Sequence, residues 1–137
     1  MSGKFIYTEE NFDKVGNLYK LPDESVLVAQ LIGVDNEEYK KAIVPFTIVA
    51  HIRQVDASIL LAYPRTPGGY DKIDIVQHLN SGNVVGVVGY AAEENCNYVV
   101  YHKATVLVGK MEDYGFEKIN ETPNYAIYKL VNEELLK

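Results

Sequence analysis

Tryptophan is absent from this 137-residue chain, cysteine occurs once, and arginine stands only at Arg53 and Arg65. Each scarcity excludes something. A single thiol, Cys96, forms no internal disulfide, which matches a reducing compartment and leads us to expect a cytoplasmic protein. Thirteen basic side chains against nineteen acidic ones leave a formal net charge of −6. Such a surface is poorly suited to neutralising the phosphates of a nucleic-acid polymer. A nucleotide-sized ligand needs only a few local cations and stays open. No run reaches the ~18 apolar residues that span a bilayer, and "MSGKFIYTEENFDK" turns polar too soon for a secretory leader. No membrane partner is expected.

What is present reads as globular. Hydrophobic residues make up 47% and charged residues 23%, close to ordinary domain averages. The length fits a single domain over residues 1–137 that buries about 68% of its unfolded surface, so no metal or disulfide staple is needed. Tyrosine is abundant at eleven residues. Its rings suit base stacking or an interaction surface, and equally suit half-buried strand positions.

Patterning along the chain predicts mixed α and β structure. "KFIYT" (4–8) reads as a strand, followed by a helical turn closed by Gly16. Segment 25–34 is apolar and too short for periodicity to choose between strand and helix. "DNEEYKKAI" has Asp35 as an N-cap and lysines late, which predicts a helix ending before Pro45. The runs 45–54 and 58–66 are β-rich and joined by "VDA", in the manner of a hairpin. "NVVGVVGYA" (83–91) reads as a buried strand, with Gly86 and Gly89 marking either a close ligand approach or a tight crossing. Within 97–115, Asn97 as a cap and Gly115 as a C′ residue point to a helix over roughly 103–114. A strand over 124–131 and a short tail helix from "NEELLK" close the chain.

Chemistry-bearing residues are thinly spread. His51, His78 and His102 lack metal-ligand spacing, and Ser58 and Ser81 lie in no nucleophile elbow. Cys96 pairs with His78 or His102 as nucleophile and base only if the fold brings them together. "HLNSGN" (78–83) is a polar turn whose amides could meet an anion. Arg65 is the more informative residue. It ends an apolar run beside the Pro67-Gly68-Gly69 turn, between Tyr63 and Tyr70, with Lys72 close by. Its planar fork suits a phosphate, and flanking tyrosines suit a base.

Four stretches, in order, resemble a divergent MutT-like subgroup of the Nudix superfamily. They are "KFIYTEENFDKVGNLYKL", "NEEYKKAIVPFTIV" (36–49), "LLAYPRTPGG" (60–69) and "VVGVVGYA" (84–91), about two thirds of the chain. The resemblance implies a mixed sheet flanked by helices and a nucleotide-diphosphate ligand. In that family a helix carrying clustered glutamates holds divalent metal against a pyrophosphate. The matching place here is "VGKMEDYGF" (108–116), where Glu112 and Asp113 occupy the paired-acid positions. Val108 and Gly109 replace the arginine and leading glutamate, while Val88 and Tyr90 replace a glycine and a histidine of the strand motif. A magnesium site would then need Glu93 and Glu94 beside Glu112 and Asp113.

"MEDYGFEKINETPNYAIYKL" (111–130) is also similar to the closing segment of GNAT acetyltransferases, but the glycine-rich pyrophosphate loop of that family has no counterpart here. The expectation is an α/β domain that binds a small nucleotide or nucleotide-derived diphosphate without cofactor or catalysis. The ligand residues would be Tyr63, Arg65, Gly68, Gly69, Tyr70, Lys72, Gly86, Gly89 and Tyr90. Such a protein would act as a sensor, a regulator or a sequestering protein of the viral counter-defence kind. The alternatives are a magnesium-dependent pyrophosphohydrolase and a protein-interaction module, for example a homodimer through a tyrosine-rich face.

Overall fold

The computed structural model describes residues 24–45, 48, 52, 55–62 and 73–136. The strand and turn expected over residues 4–16 lie outside them. The first helix, α1 (Glu24–Gly33), buries Ser25, Leu27, Val28, Ala29, Gln30 and Ile32. Burial around most of its circumference explains why no amphipathic stripe marks it in the sequence. Its C-terminus is closed by Lys40, whose Nζ donates to the Gly33 carbonyl at 2.7 Å.

The helix expected over 35–43 does not form. The chain turns after Val34 and enters strand β1 (Lys41–Ile43). Tertiary partners claim the residues that looked like helix signals. Asp35 and Glu37 both pair with Lys129, Lys40 caps α1, and Ala42, Ile43 and Val44 are fully buried. An unbroken buried run is what a central parallel strand carries.

Strand β2 (Leu60–Leu61) pairs with β1 in parallel, with Lys41 opposite Leu60 and Ala42 opposite Leu61. The hairpin expected from 45–54 and 58–66 is not seen among the described residues, where β2 takes β1 as its parallel partner. Ile48 lies in a 3-10 turn, and Ile52 and Val55 are helical. Their spacing of four and then three residues puts one apolar stripe against the core.

The largest correction concerns residues 83–91, which form the start of a helix and not a strand. Helix α2 (Ile73–Ser81) is followed at once by α3 (Val84–Glu94). Asn83 caps α3 by accepting the Gly86 N–H at 3.2 Å, and Asn95 ends it in the left-handed region at φ 57°. Val84, Val87, Val88 and Ala91 are buried, the i, i+3, i+4, i+7 series of a helix face. The β-branched valines cost only a few tenths of a kcal/mol each in helix propensity, which burial of that face outweighs.

Strand β3 (Tyr98–His102) runs parallel to β1, with Ala42 opposite Tyr98. The helix expected over 103–114 is replaced by a loop and a single 3-10 turn, Met111–Tyr114. Loop and α3 are tied together: Val108 N–H donates to the Gly82 carbonyl at 2.8 Å and Val84 N–H to the Val108 carbonyl at 3.3 Å. Asn97, expected as a helix cap, instead staples β3 to β1. Its backbone N–H donates to the Lys41 carbonyl at 2.9 Å, and its Oδ1 accepts the Lys41 N–H at 2.8 Å.

Gly115 does stand at the C′ position, with φ 87° and its N–H turned back to the Glu112 carbonyl. Beyond it, β4 (Phe116–Glu121) and β5 (Tyr125–Leu130) form an antiparallel pair, and Glu133–Leu136 makes a last 3-10 turn. The sheet order is β2-β1-β3-β5-β4, parallel on one side of β3 and antiparallel on the other. The fold is thus a five-stranded mixed sheet with helices, of the α+β kind that the sequence predicts. None of the described helices is long and apolar enough to cross a membrane.

Candidate functional site

The parallel strands present a carboxyl edge and an amino edge. At the carboxyl edge, β1 leads first to β2 on one side, and the chain later returns to β3 on the other. Crossovers that leave a central strand in opposite directions open a crevice at its carboxyl end. Residues 63–72 connect this edge of β2 to α2, and Tyr63, Arg65, Gly68, Gly69, Tyr70 and Lys72 lie there, outside the described residues. Tyr90 of α3 reaches the same edge. Its hydroxyl donates to the carbonyl of Ala62, the residue following β2, at 2.8 Å.

The two glycines have separate roles, and neither sits in a strand. Gly86 faces α2, where an added Cβ would lie 2.5 Å from Cγ of His78. That space is filled by a side chain, so Gly86 serves a close helix crossing and not a ligand. Gly89 is exposed, with nothing within 4 Å of the position a Cβ would take.

The carboxylates expected around a metal are spread over two elements. Glu112 and Asp113 lie on the 3-10 turn, whereas Glu93 and Glu94 end α3, with Glu94 3.5 Å from the Lys41 ammonium. Among the described residues no three His, Cys, Asp or Glu side chains converge as a metal shell requires. The amides of the 78–83 turn are committed internally, Asn83 N–H to the His78 carbonyl at 2.9 Å and Gly82 N–H to Leu79 at 3.4 Å. His78 Nδ1 lies 3.1 Å from Asn83 Nδ2. His102 Nδ1 accepts the Ala104 N–H at 3.0 Å, and its ring meets Tyr125 edge-on. His51 lies outside the described residues. Cys96 is buried, and burial pushes its thiol up to about 12, with Glu94 adding to the shift and Lys41 opposing it. A thiol held protonated is a poor nucleophile.

The amino edge holds features that the sequence reading missed. Tyr98 donates its hydroxyl to Asp35, and Lys129 Nζ lies 2.8 Å from Asp35 and 3.0 Å from Glu37. Burial alone would raise the Asp35 carboxyl, but the hydrogen bonds from Lys129 and Tyr98, with the charges of Lys129 and Lys40, outweigh it and hold the group low. Beside this network a cavity of about 490 Å³ opens between the 37–39 loop, the end of α3, Leu130 and the last 3-10 turn. Its walls come from three segments distant in sequence, 37–39, 91–97 and 130–136, so no local motif announces it. No family model matches the chain, and no characterised protein resembles it in sequence closely enough to carry an assignment.

Proposed function

We propose that the protein binds a small nucleotide or nucleotide-derived diphosphate at the carboxyl edge of its parallel strands, without turning it over. The observation that carries this reading is the strand order β2-β1-β3, which puts a topological switch point between β1 and β3. Ligands of open parallel sheets occupy the crevice outside that point. In the chain, Tyr63, Arg65 and Tyr70 fall between β2 and α2. An arginine fork supplies paired N–H donors to phosphate, and tyrosine rings supply stacking surfaces for a base. Tyr90, bonded to the Ala62 carbonyl, ties α3 to the end of β2. The dispersal of Glu93, Glu94, Glu112 and Asp113 over two elements favours binding over metal-assisted hydrolysis.

Thermal unfolding against nucleotides, ADP-ribose, dinucleotides and cyclic nucleotides tests the proposal. A ligand at 100 times its dissociation constant adds about 2.7 kcal/mol of stability. The expected result is a shift that survives EDTA and disappears in Arg65→Ala. A shift seen only with magnesium would replace binding by hydrolysis as the function. No shift across the panel would overturn the reading.

A further inference from the structure

We infer that the cavity at the amino edge is a second, separate binding site, for a small organic cation of the alkylammonium class. Its volume, about 490 Å³, lies within the range of small-molecule sites. The lining is amphiphilic. Leu130 and Leu136 supply apolar wall, Tyr39 an aromatic face, and Glu37 and Glu133 carboxylates. Among the described residues no lysine, arginine or histidine lines it.

Electrostatics set the sign of the ligand. The eleven-residue helix α3 ends at this cavity, with Ala91 and Ala92 in the wall, so the negative end of its dipole is directed there. That end carries roughly half an elementary charge and favours a cation. Lys129 is shared between Asp35 and the wall residue Glu37, and Lys41 pairs with Glu94, so Glu37 is already matched by a cation. Glu133 has no cationic partner among the described residues. An anion entering here would meet Glu133 and a helix C-terminus, whereas an ammonium group would neutralise Glu133 in a cavity that Tyr39 also lines.

The floor is fixed before any ligand arrives. Tyr39 donates its hydroxyl to the Asn95 carbonyl at 2.8 Å, and Asn97 Nδ2 donates to the Tyr39 carbonyl at 2.7 Å. Leu130 N–H donates to the Asn97 carbonyl at 2.9 Å. These bonds tie the three wall segments together, so little ordering entropy remains to be lost on binding. An alkyl chain of about four carbons would reach along Leu130 and Leu136 with its ammonium at Glu133.

The test is a titration of the full chain with n-butylammonium, followed by amide NMR, with n-butanol as the neutral control. The expected result is saturable shifts centred on residues 95–97 and 133–136, absent with butanol. Glu133→Gln, at an exposed position, should weaken binding at least fivefold. Ala92→Phe, also exposed, should fill the cavity and abolish it. Shifts spread evenly over the acidic surface, or affinity unchanged in both variants, would overturn the inference. So would saturation by butanol. Nucleotide binding at the other edge is unaffected by either variant, so the two sites fail or stand independently.

Discussion

Gly86 of α3 packs directly against the imidazole of His78 on α2, leaving no room for a Cβ. The ring cannot swing away cheaply, because the blocked position is 2.5 Å from Cγ, at the root of the ring, and Nδ1 lies 3.1 Å from Asn83, the cap of α3. Glycine inside a helix ordinarily costs about 0.8–1 kcal/mol relative to alanine. Gly86→Ala should nevertheless destabilise by roughly 1–3 kcal/mol through overpacking. Gly89→Ala, three residues on and facing open space, should stabilise by up to about 1 kcal/mol. Urea unfolding of the two variants checks the pair. Equal effects would mean that the α2–α3 crossing is not as close as described.

The same stretch shows what the sequence could and could not say. Composition carries the α+β class, and "NYAIYKLV" locates β5, whereas Gly115 is the expected C′ residue but closes a 3-10 turn and not a helix over 103–114. Residues 83–91 misled because β-branched valines favour strands locally, while the burial series Val84, Val87, Val88, Ala91 is helical. Asp35 misled because a good N-cap is also a good ion-pair partner, and Lys129, 94 positions away, decides between the two uses. Of the candidate site, Tyr90 lies on a helix and not in a strand, bonded to the Ala62 carbonyl, and Gly86 packs against His78. The amino-edge cavity was invisible, since its walls meet only in three dimensions.

Glu24 holds the β4–β5 turn to the first turn of α1. Its carboxylate accepts from the Thr122 hydroxyl, from Asn124 N–H at 2.6 Å and from Asn124 Nδ2 at 2.7 Å. Thr122 is buried, so loss of the acceptor leaves its hydroxyl poorly satisfied. Glu24→Ala should cost about 2–3 kcal/mol, on the scale of hydrogen bonds to charged groups. In a double-mutant cycle with Thr122→Val, the two losses should be clearly less than additive. Additive losses would show that the clamp contributes little.

Two buried tyrosines on β3 should respond oppositely to losing their hydroxyls. Tyr98 donates to Asp35, so Tyr98→Phe should destabilise by roughly 1.5–3 kcal/mol. The Tyr101 hydroxyl is buried without a hydrogen-bond partner among the described residues, so Tyr101→Phe should be neutral or stabilising. Both phenols are pushed above the ordinary tyrosine range, by burial first, with Asp35 adding to the effect at Tyr98 and Tyr128 at Tyr101. A raised folded value means that their contribution is complete below about pH 10 and is lost as pH climbs above it. Asp35 acts in the other direction. Its lowered value gives stability that is present above about pH 4 and lost as the solution is acidified. Absorbance titration should show tyrosines that ionise only as the fold opens. Full ionisation of all eleven tyrosines in the folded state would contradict this.

Cys96 should be silent in the native protein. It is 1% exposed, and its thiol is raised to about 12, so at pH 8 the thiolate fraction is smaller than that of a free cysteine by about three orders of magnitude. Access adds a further barrier. The residue follows the left-handed Asn95, its N–H donates to the Ala91 carbonyl at 2.9 Å, and the Asn97 staple to β1 is next in the chain. A thiol reagent at pH 8 should therefore react at a rate set by opening of the α3–β3 junction, and independent of reagent concentration once cleavage of the reagent outpaces reclosing. Denaturant should restore the rate of an ordinary thiol. Rapid labelling of the folded protein, first order in reagent and without loss of helix signal, would show that the junction is open in solution and that the wall it gives to the amino-edge cavity is not fixed.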